Sequence, residues 1–234
     1  SFLLPPSAFR LPPSAFRLPP SYIRSMLPAS LRTLLTGLVD YAGLFPPAQL
    51  PMKNAVEEYA SYLTTPEAWM LGRFVAPVAR LGEFEQHADP LTPPAPTDGT
   101  WRLSALSGDD LIADARAIGE FNARHAADGA PAAVIDTIEF KVTAPDQIPQ
   151  AGQDLPSWLT TYAEFPLAAD PAPFVAALKE TGGRAKARTG GVVAVAFPPA
   201  TQLARFIVAC ARAEVPFKAT AGLHHLYGDR KSVV

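Results

Sequence analysis

The chain has 234 residues, enough for one large domain or two small ones, and its 48% hydrophobic against 18% charged residues is the balance of a protein with a sizeable core. A net charge of −2 without any Lys/Arg run excludes the basic field that holds a nucleic-acid backbone, and no apolar run approaches the roughly 18 residues that span a bilayer. The single cysteine, Cys210, permits no intrachain disulfide and points to a reducing, cytoplasmic compartment.

At the N-terminus the heptad LPPSAFR occupies residues 4–10, recurs at 11–17 and begins again at Leu18. A Pro-Pro pair in every heptad forbids a helix, because each ring fixes φ and removes a donor. Residues 1–30 are therefore expected to be an unstructured extension or a cloning artefact, and residues 31–227 the barrel domain described below. The ending Asp229-Arg230-Lys231-Ser232-Val233-Val234 resembles translated adapter sequence, so residues 228–234 are expected to be a non-native tail following a cut near Tyr227.

Between these ends, short apolar runs alternate with helical patterns. Strands are expected at 41–45, 74–78, 102–106, 137–142, 161–167, 184–189 and 217–222. Helices are expected at 52–63, 109–126, 173–180 and 199–215. The 109–126 segment opens with Asp109 and Asp110, which suit a helix N-terminus, and 173–180 runs into Gly182-Gly183, a natural C-cap. In 199–215, Leu203, Phe206, Ile207 and Cys210 fall on one face, which makes Cys210 a buried structural thiol. Residues 83–100 carry Pro90, Pro93, Pro94 and Pro96 and read as a long loop.

Strand starts recur every ~23 to 35 residues, the length of one βα unit, so the sheet is expected to be parallel with helical crossovers. The strand side chains separate a barrel from an open sheet. Charges alternate with apolar residues in Glu139-Phe140-Lys141 and in Arg184-Ala185-Lys186-Ala187-Arg188, whereas a sheet covered on both faces is nearly all apolar. The expectation is an α/β chain forming a (β/α)8 TIM-type barrel, incomplete at about seven βα units, with Ile138, Phe140, Ala185, Ala187, Phe217, Ala219 and Ala221 facing the helices and a polar lumen.

Active sites of such barrels lie at the C-terminal ends of the strands. The inward set there is Glu139 and Lys141 on the fourth strand, Glu164 on the fifth, Lys186 and Arg188 on the sixth, and Lys218, Thr220 and His224 on or after the seventh. A lysine becomes a nucleophilic amine when desolvation or a second cation removes its proton, and adjacent strands bring Lys186 and Lys218 together. Glu139 or Glu164 can then move protons. Gly190-Gly191 leaves backbone N–H groups open to an anion, although an ordinary turn explains the pair as well.

Lys186-Ala187-Arg188-Thr189-Gly190 and Lys218-Ala219-Thr220-Ala221-Gly222-Leu223 resemble the two lysine motifs of class I aldolases of the deoxyribose-phosphate aldolase type. The resemblance spans about forty residues. It implies a (β/α)8 barrel, Lys186 as the Schiff-base residue, and Lys218 as the lysine that depresses its pKa. Arg188 and Ala221 depart from that family's small residue and glycine, and Ser104 and Ser107 stand on the third strand where the family has a proton-relay aspartate. The remainder, including Asp40-Tyr41-Ala42-Gly43-Leu44-Phe45-Pro46-Pro47, resembles a bacterial protein family other than the authentic aldolases.

The leading expectation is a lyase acting on a small carbonyl metabolite through Lys186, with Lys218, Glu139 and Glu164 as its catalytic partners. Arg188, Thr189, Gly190, Gly191, Thr220 and His224 are expected to contact a substrate bearing a phosphate or carboxylate, and no cofactor or resident metal is expected. A homo-oligomer is compatible with the sequence. Two alternatives are a metal-assisted hydrolase or isomerase using Glu139, Glu164 and His224, and a non-catalytic barrel holding an anionic metabolite through Arg188 and Lys218. Asp40 reads equally as a catalytic acid or a turn former. His87 and His125 are expected to be exposed, on a loop and at a helix end.

Overall fold

The computed structural model describes residues 28–221; the LPPSAFR repeat, His224, His225 and the 229–234 tail lie outside them. Helices and strands alternate along the chain: α1 (Ala29–Leu35), β1 (Val39–Tyr41), α2 (Met52–Leu63), β2 (Leu71–Pro77), α3 (Leu81–Ala88), β3 (Trp101–Leu106), α4 (Leu111–His125), β4 (Ala133–Lys141), α5 (Gln147–Asp154), β5 (Thr160–Glu164), α6 (Pro171–Thr181), β6 (Arg184–Arg188), α7 (Ala200–Ala213) and β7 (Phe217–Thr220). The strands form one sheet in sequence order, and every neighbouring pair is parallel.

The sheet curls into an open half-barrel of the α/β class. Its curl is deep: Lys218 on β7 reaches Asp40 on β1 at 3.0 Å, although these strands are the two ends of the sheet. Among the described residues no strand pairs the outer edges of β1 and β7, so the seven-stranded sheet stays open, which is compatible with the incomplete barrel that was expected.

Local signals explain most element ends. Asp110 caps α4, its carboxylate accepting from the Ala113 N–H at 2.9 Å, and Asp170 caps α6 through the Ala172 N–H at 3.1 Å. Pro171 opens α6, where its missing donor costs nothing. Gly182 ends α6 in the left-handed region at φ 69°, which a residue with a Cβ adopts only under strain.

Several expectations need correction. Half of the segment read as a loop is helical: α3 buries Leu81, Phe84 and Ala88 on one face before a 3-10 turn at Asp89–Leu91 that contains Pro90, and the other three prolines follow it. The first strand is Val39–Tyr41 rather than 41–45, and β5 stops at Glu164 rather than 167. β4 starts four residues earlier than expected and runs for 9 residues. His125 is buried, not exposed, and His87 sits half-buried in α3. The His125 ring stacks on Phe121 at 3.9 Å and lies 2.8 Å from the Phe121 carbonyl and 3.2 Å from Asp89.

The core lies between the outer face of the sheet and the helices. Tyr59 of α2, Phe74 of β2, Phe84 of α3 and Trp101 of β3 interlock there, with ring centroids 5.1 to 5.4 Å apart in the closer pairs. Ile138, Phe140, Ala185 and Ala187 face the helices as expected, and Phe217 meets Phe206 of α7 edge-on at 5.4 Å while staying 40% exposed on the edge strand. Cys210 is fully buried on α7, and burial pushes its thiol up to about 11. No helix among the described residues is long and apolar enough to cross a membrane.

Candidate active site inside the curled sheet

The inner face of the sheet carries charge in layers. At its N-terminal end Asp136 accepts from Arg73 at 2.5 Å and from Arg102 at 2.7 Å. A register shift between Leu103 and Ser104 inserts one extra residue into β4, and this brings Asp136 into the lumen although Glu139 belongs to the opposite parity. Burial pushes the Asp136 carboxyl up, but Arg73 and Arg102 outweigh it and hold it below the usual carboxylate range.

Above that plug, Glu139 is the hub. Its side chain is 1% exposed, and one oxygen accepts from Ser104 at 2.6 Å and from Lys218 at 2.5 Å. The other oxygen lies 3.0 Å from Lys186. Lys186 also pairs with Glu164 at 2.6 Å, and Lys218 with Asp40 at 3.0 Å. Lys186 and Lys218 are direct register partners on β6 and β7, so the two ammonium groups converge on the two oxygens of one carboxylate. The face of the Tyr162 ring lies 4.7 Å from the Lys218 ammonium.

Burial by itself would raise the Glu139 carboxyl, but Lys186 and Lys218 outweigh it and hold it below the carboxylate range. Burial likewise works to strip the Lys218 proton, and Glu139 and Asp40 more than offset that, leaving Lys218 above its ordinary value. Lys218 is therefore a compensated cation. Its field reaches Lys186 only past the carboxylate that both lysines share.

The four expected catalytic residues thus come together. Asp40, expected to be either a catalytic acid or a turn former, joins them, as do Ser104 and Tyr162, for which no role was expected. Asp40 is the most informative. It stands on β1, not ahead of it, with its other oxygen accepting from the Arg73 backbone N–H at 2.8 Å.

Above the hub, at the C-terminal ends of β4 to β6, a cavity of about 590 Å³ is lined by Lys141, Glu164, Arg188 and Gln202 among apolar neighbours that include Phe165, Leu167 and Phe197. Glu164 is the link: it pairs with Lys186 and also lines the cavity. Arg188 is exposed and donates to the Gly190 carbonyl at 3.3 Å. The other expected binding residues have structural partners. The Thr189 N–H donates to the Thr220 carbonyl at 2.8 Å and its hydroxyl to the Ala221 carbonyl, tying β6 to β7. A Cβ on Gly191 would meet that of Ala196 at 2.7 Å, so the glycine lets the following 3-10 turn pack back. Thr220 is the register partner of Arg188, and His224 lies outside the described residues. Among the described residues no three His, Cys, Asp or Glu side chains gather as a metal-binding group.

Comparison of the chain with protein-family models, with curated proteins and with solved structures found no match.

Proposed function

We propose that the chain is a lyase that forms an imine between Lys186 and a small carbonyl compound. One observation carries this reading: a buried lysine, 8% exposed, lies 2.6 Å from a carboxylate that lines a cavity large enough for a metabolite. In the resting site Lys186 is ion-paired with Glu139 and Glu164. Glu139 has an ammonium group at each oxygen and is held ionised, so Glu164, open to the cavity, is the group that takes the Lys186 proton when a carbonyl enters.

The neutral amine attacks the carbonyl carbon, and the carbonyl oxygen receives the proton held by Glu164. Loss of water leaves a protonated imine. That imine draws the electrons of the neighbouring C–C bond as it breaks, giving an enamine and releasing a second carbonyl fragment, and Glu164 removes the hydroxyl proton of the departing carbon. Lys218 stays protonated throughout, fixed by Asp40, Glu139 and the Tyr162 ring. It keeps the Glu139 carboxylate ionised and in place.

An imine acidifies the C–H beside it even when the true reaction partner is absent. Incubation with dihydroxyacetone or butanone in D2O, followed by proton NMR, is expected to show deuterium entering the α-carbon. K186M is expected to lose at least 10²-fold of that rate, the scale of a positioned catalytic group. Exchange that is absent with every carbonyl tried, or unchanged in K186M, removes the proposal.

A further inference from the structure

The cavity mouth holds two cations without carboxylates of their own. Lys141 ends β4 and Arg188 ends β6; both are exposed, and among the described residues neither forms an ion pair. Each stands two residues beyond a member of the hub, Lys141 beyond Glu139 and Arg188 beyond Lys186, and so on the same face one layer higher. Their strands flank β5, whose Glu164 is the register partner of both Lys141 and Lys186, so Arg188 stands two residues further along; the backbones are ~12 Å apart, a gap that two long side chains can close around one anion. The acid lining the cavity, Glu164, is already matched by Lys186 at 2.6 Å. Two like charges at one mouth repel unless an anion comes between them. The rest of the wall is largely apolar, with Val142, Phe165, Leu167 and Phe197.

We infer that this cavity is the specificity site for an anionic substrate: Arg188 and Lys141 grip a carboxylate or phosphate, the apolar wall holds the carbon chain, and the carbonyl points down to Lys186. The inference rests on Lys186 as the reacting amine for its last clause only. It also replaces Lys218 as an anion ligand. Asp40 and Glu139 have claimed that ammonium, and Lys141 is the cation left to act with Arg188. Arg188 supplies the planar fork suited to an oxyanion, and its contact with the Gly190 carbonyl orients the guanidinium.

The test uses the full chain and matched carbonyl pairs: 4-oxopentanoate with 4-oxopentanamide, and dihydroxyacetone phosphate with dihydroxyacetone. Borohydride trapping gives the concentration of each that half-labels the protein. The wild type is expected to favour the charged member of one pair by about tenfold or more, the worth of a charge-assisted contact. Whichever pair shows the preference identifies the group as carboxylate or phosphate. R188M and K141M are each expected to collapse that ratio, with R188K restoring part of it. Both side chains are exposed, so the variants keep the fold, and their thermal midpoints verify this. Equal trapping within both pairs, or a preference that survives both substitutions, overturns the inference. If no carbonyl traps at all, calorimetry with benzoate and inorganic phosphate separates the two claims. Anion binding that weakens tenfold in R188M keeps the cavity assignment and discards the imine, whereas no binding of either anion discards the cavity assignment.

Discussion

Glu139 organises more of this molecule than any other side chain. It accepts hydrogen bonds from Ser104 of β3 and Lys218 of β7 and pairs with Lys186 of β6 while standing on β4, so four strands of the lumen meet at one carboxylate. Such a group adds little net stability, because the cost of desolvating the charges absorbs most of their attraction. Removing one partner is another matter. E139Q leaves two buried ammonium groups without the carboxylate they share, and urea unfolding is expected to show a loss of about 3–5 kcal/mol. An unchanged midpoint would mean the lysines find other partners. Glu139, Glu164, Lys186 and Lys218 were legible in the sequence because charges alternating with apolar residues along a strand have no outward explanation. Asp40 was legible only as an even choice between catalytic acid and turn former, because β1 is three residues long and shows no period. Asp136 was hidden for a different reason: the extra residue in β4 breaks the parity on which the argument depends.

The elements followed their local chemistry where a cap or a long stripe was present. α2 begins at Met52 and ends at Leu63 as expected, and α4 and α6 lie within two residues of expectation at each end, helped by Asp110, Asp170 and Gly182. D110A removes the side-chain acceptor at the start of α4 and is expected to cost about 1 kcal/mol in urea unfolding at unchanged slope. A neutral result would show that the Asp114 side chain, or water, takes over the exposed N–H. The helix over 81–88 is masked in the sequence because Pro90 and the three prolines after it outweigh the short stripe of Leu81, Phe84 and Ala88, which is barely two turns long. α5 carries Pro149 and no strong stripe, and α1 buries none of its residues, so neither signalled itself.

At the scale of the whole molecule, strand order was readable from alternation alone, because a run of βα units lays each parallel strand beside the last. The degree of curl was not. It follows from the inner face, where Asp40 and Lys218 draw the ends of the sheet together. The charged lumen also sets the pH range of stability. Glu139 and Asp136 are held below their unfolded values, so their contribution is complete above about pH 4.5 and is lost as pH falls through their lower folded values. Lys218 is held above its unfolded value of about 10.4, so its contribution is complete below that pH and is lost as pH rises through the folded value. Urea midpoints are expected to form a plateau between about pH 5 and 10 with a fall on each side. E139Q is expected to flatten the acid limb and K218M the alkaline one. A midpoint that slopes through neutrality would point to groups outside the lumen.

Lys186 is the amine that meets the carbonyl in the proposed reaction. Borohydride reduction of the full chain in the presence of the matched carbonyls, followed by digestion and mass spectrometry, locates the adduct directly. The expected result is a single stable mass increment on the peptide containing Lys186, absent in K186M and still formed in K141M. A label on Lys218 or on exposed lysines such as Lys53, with Lys186 unmodified, would contradict it.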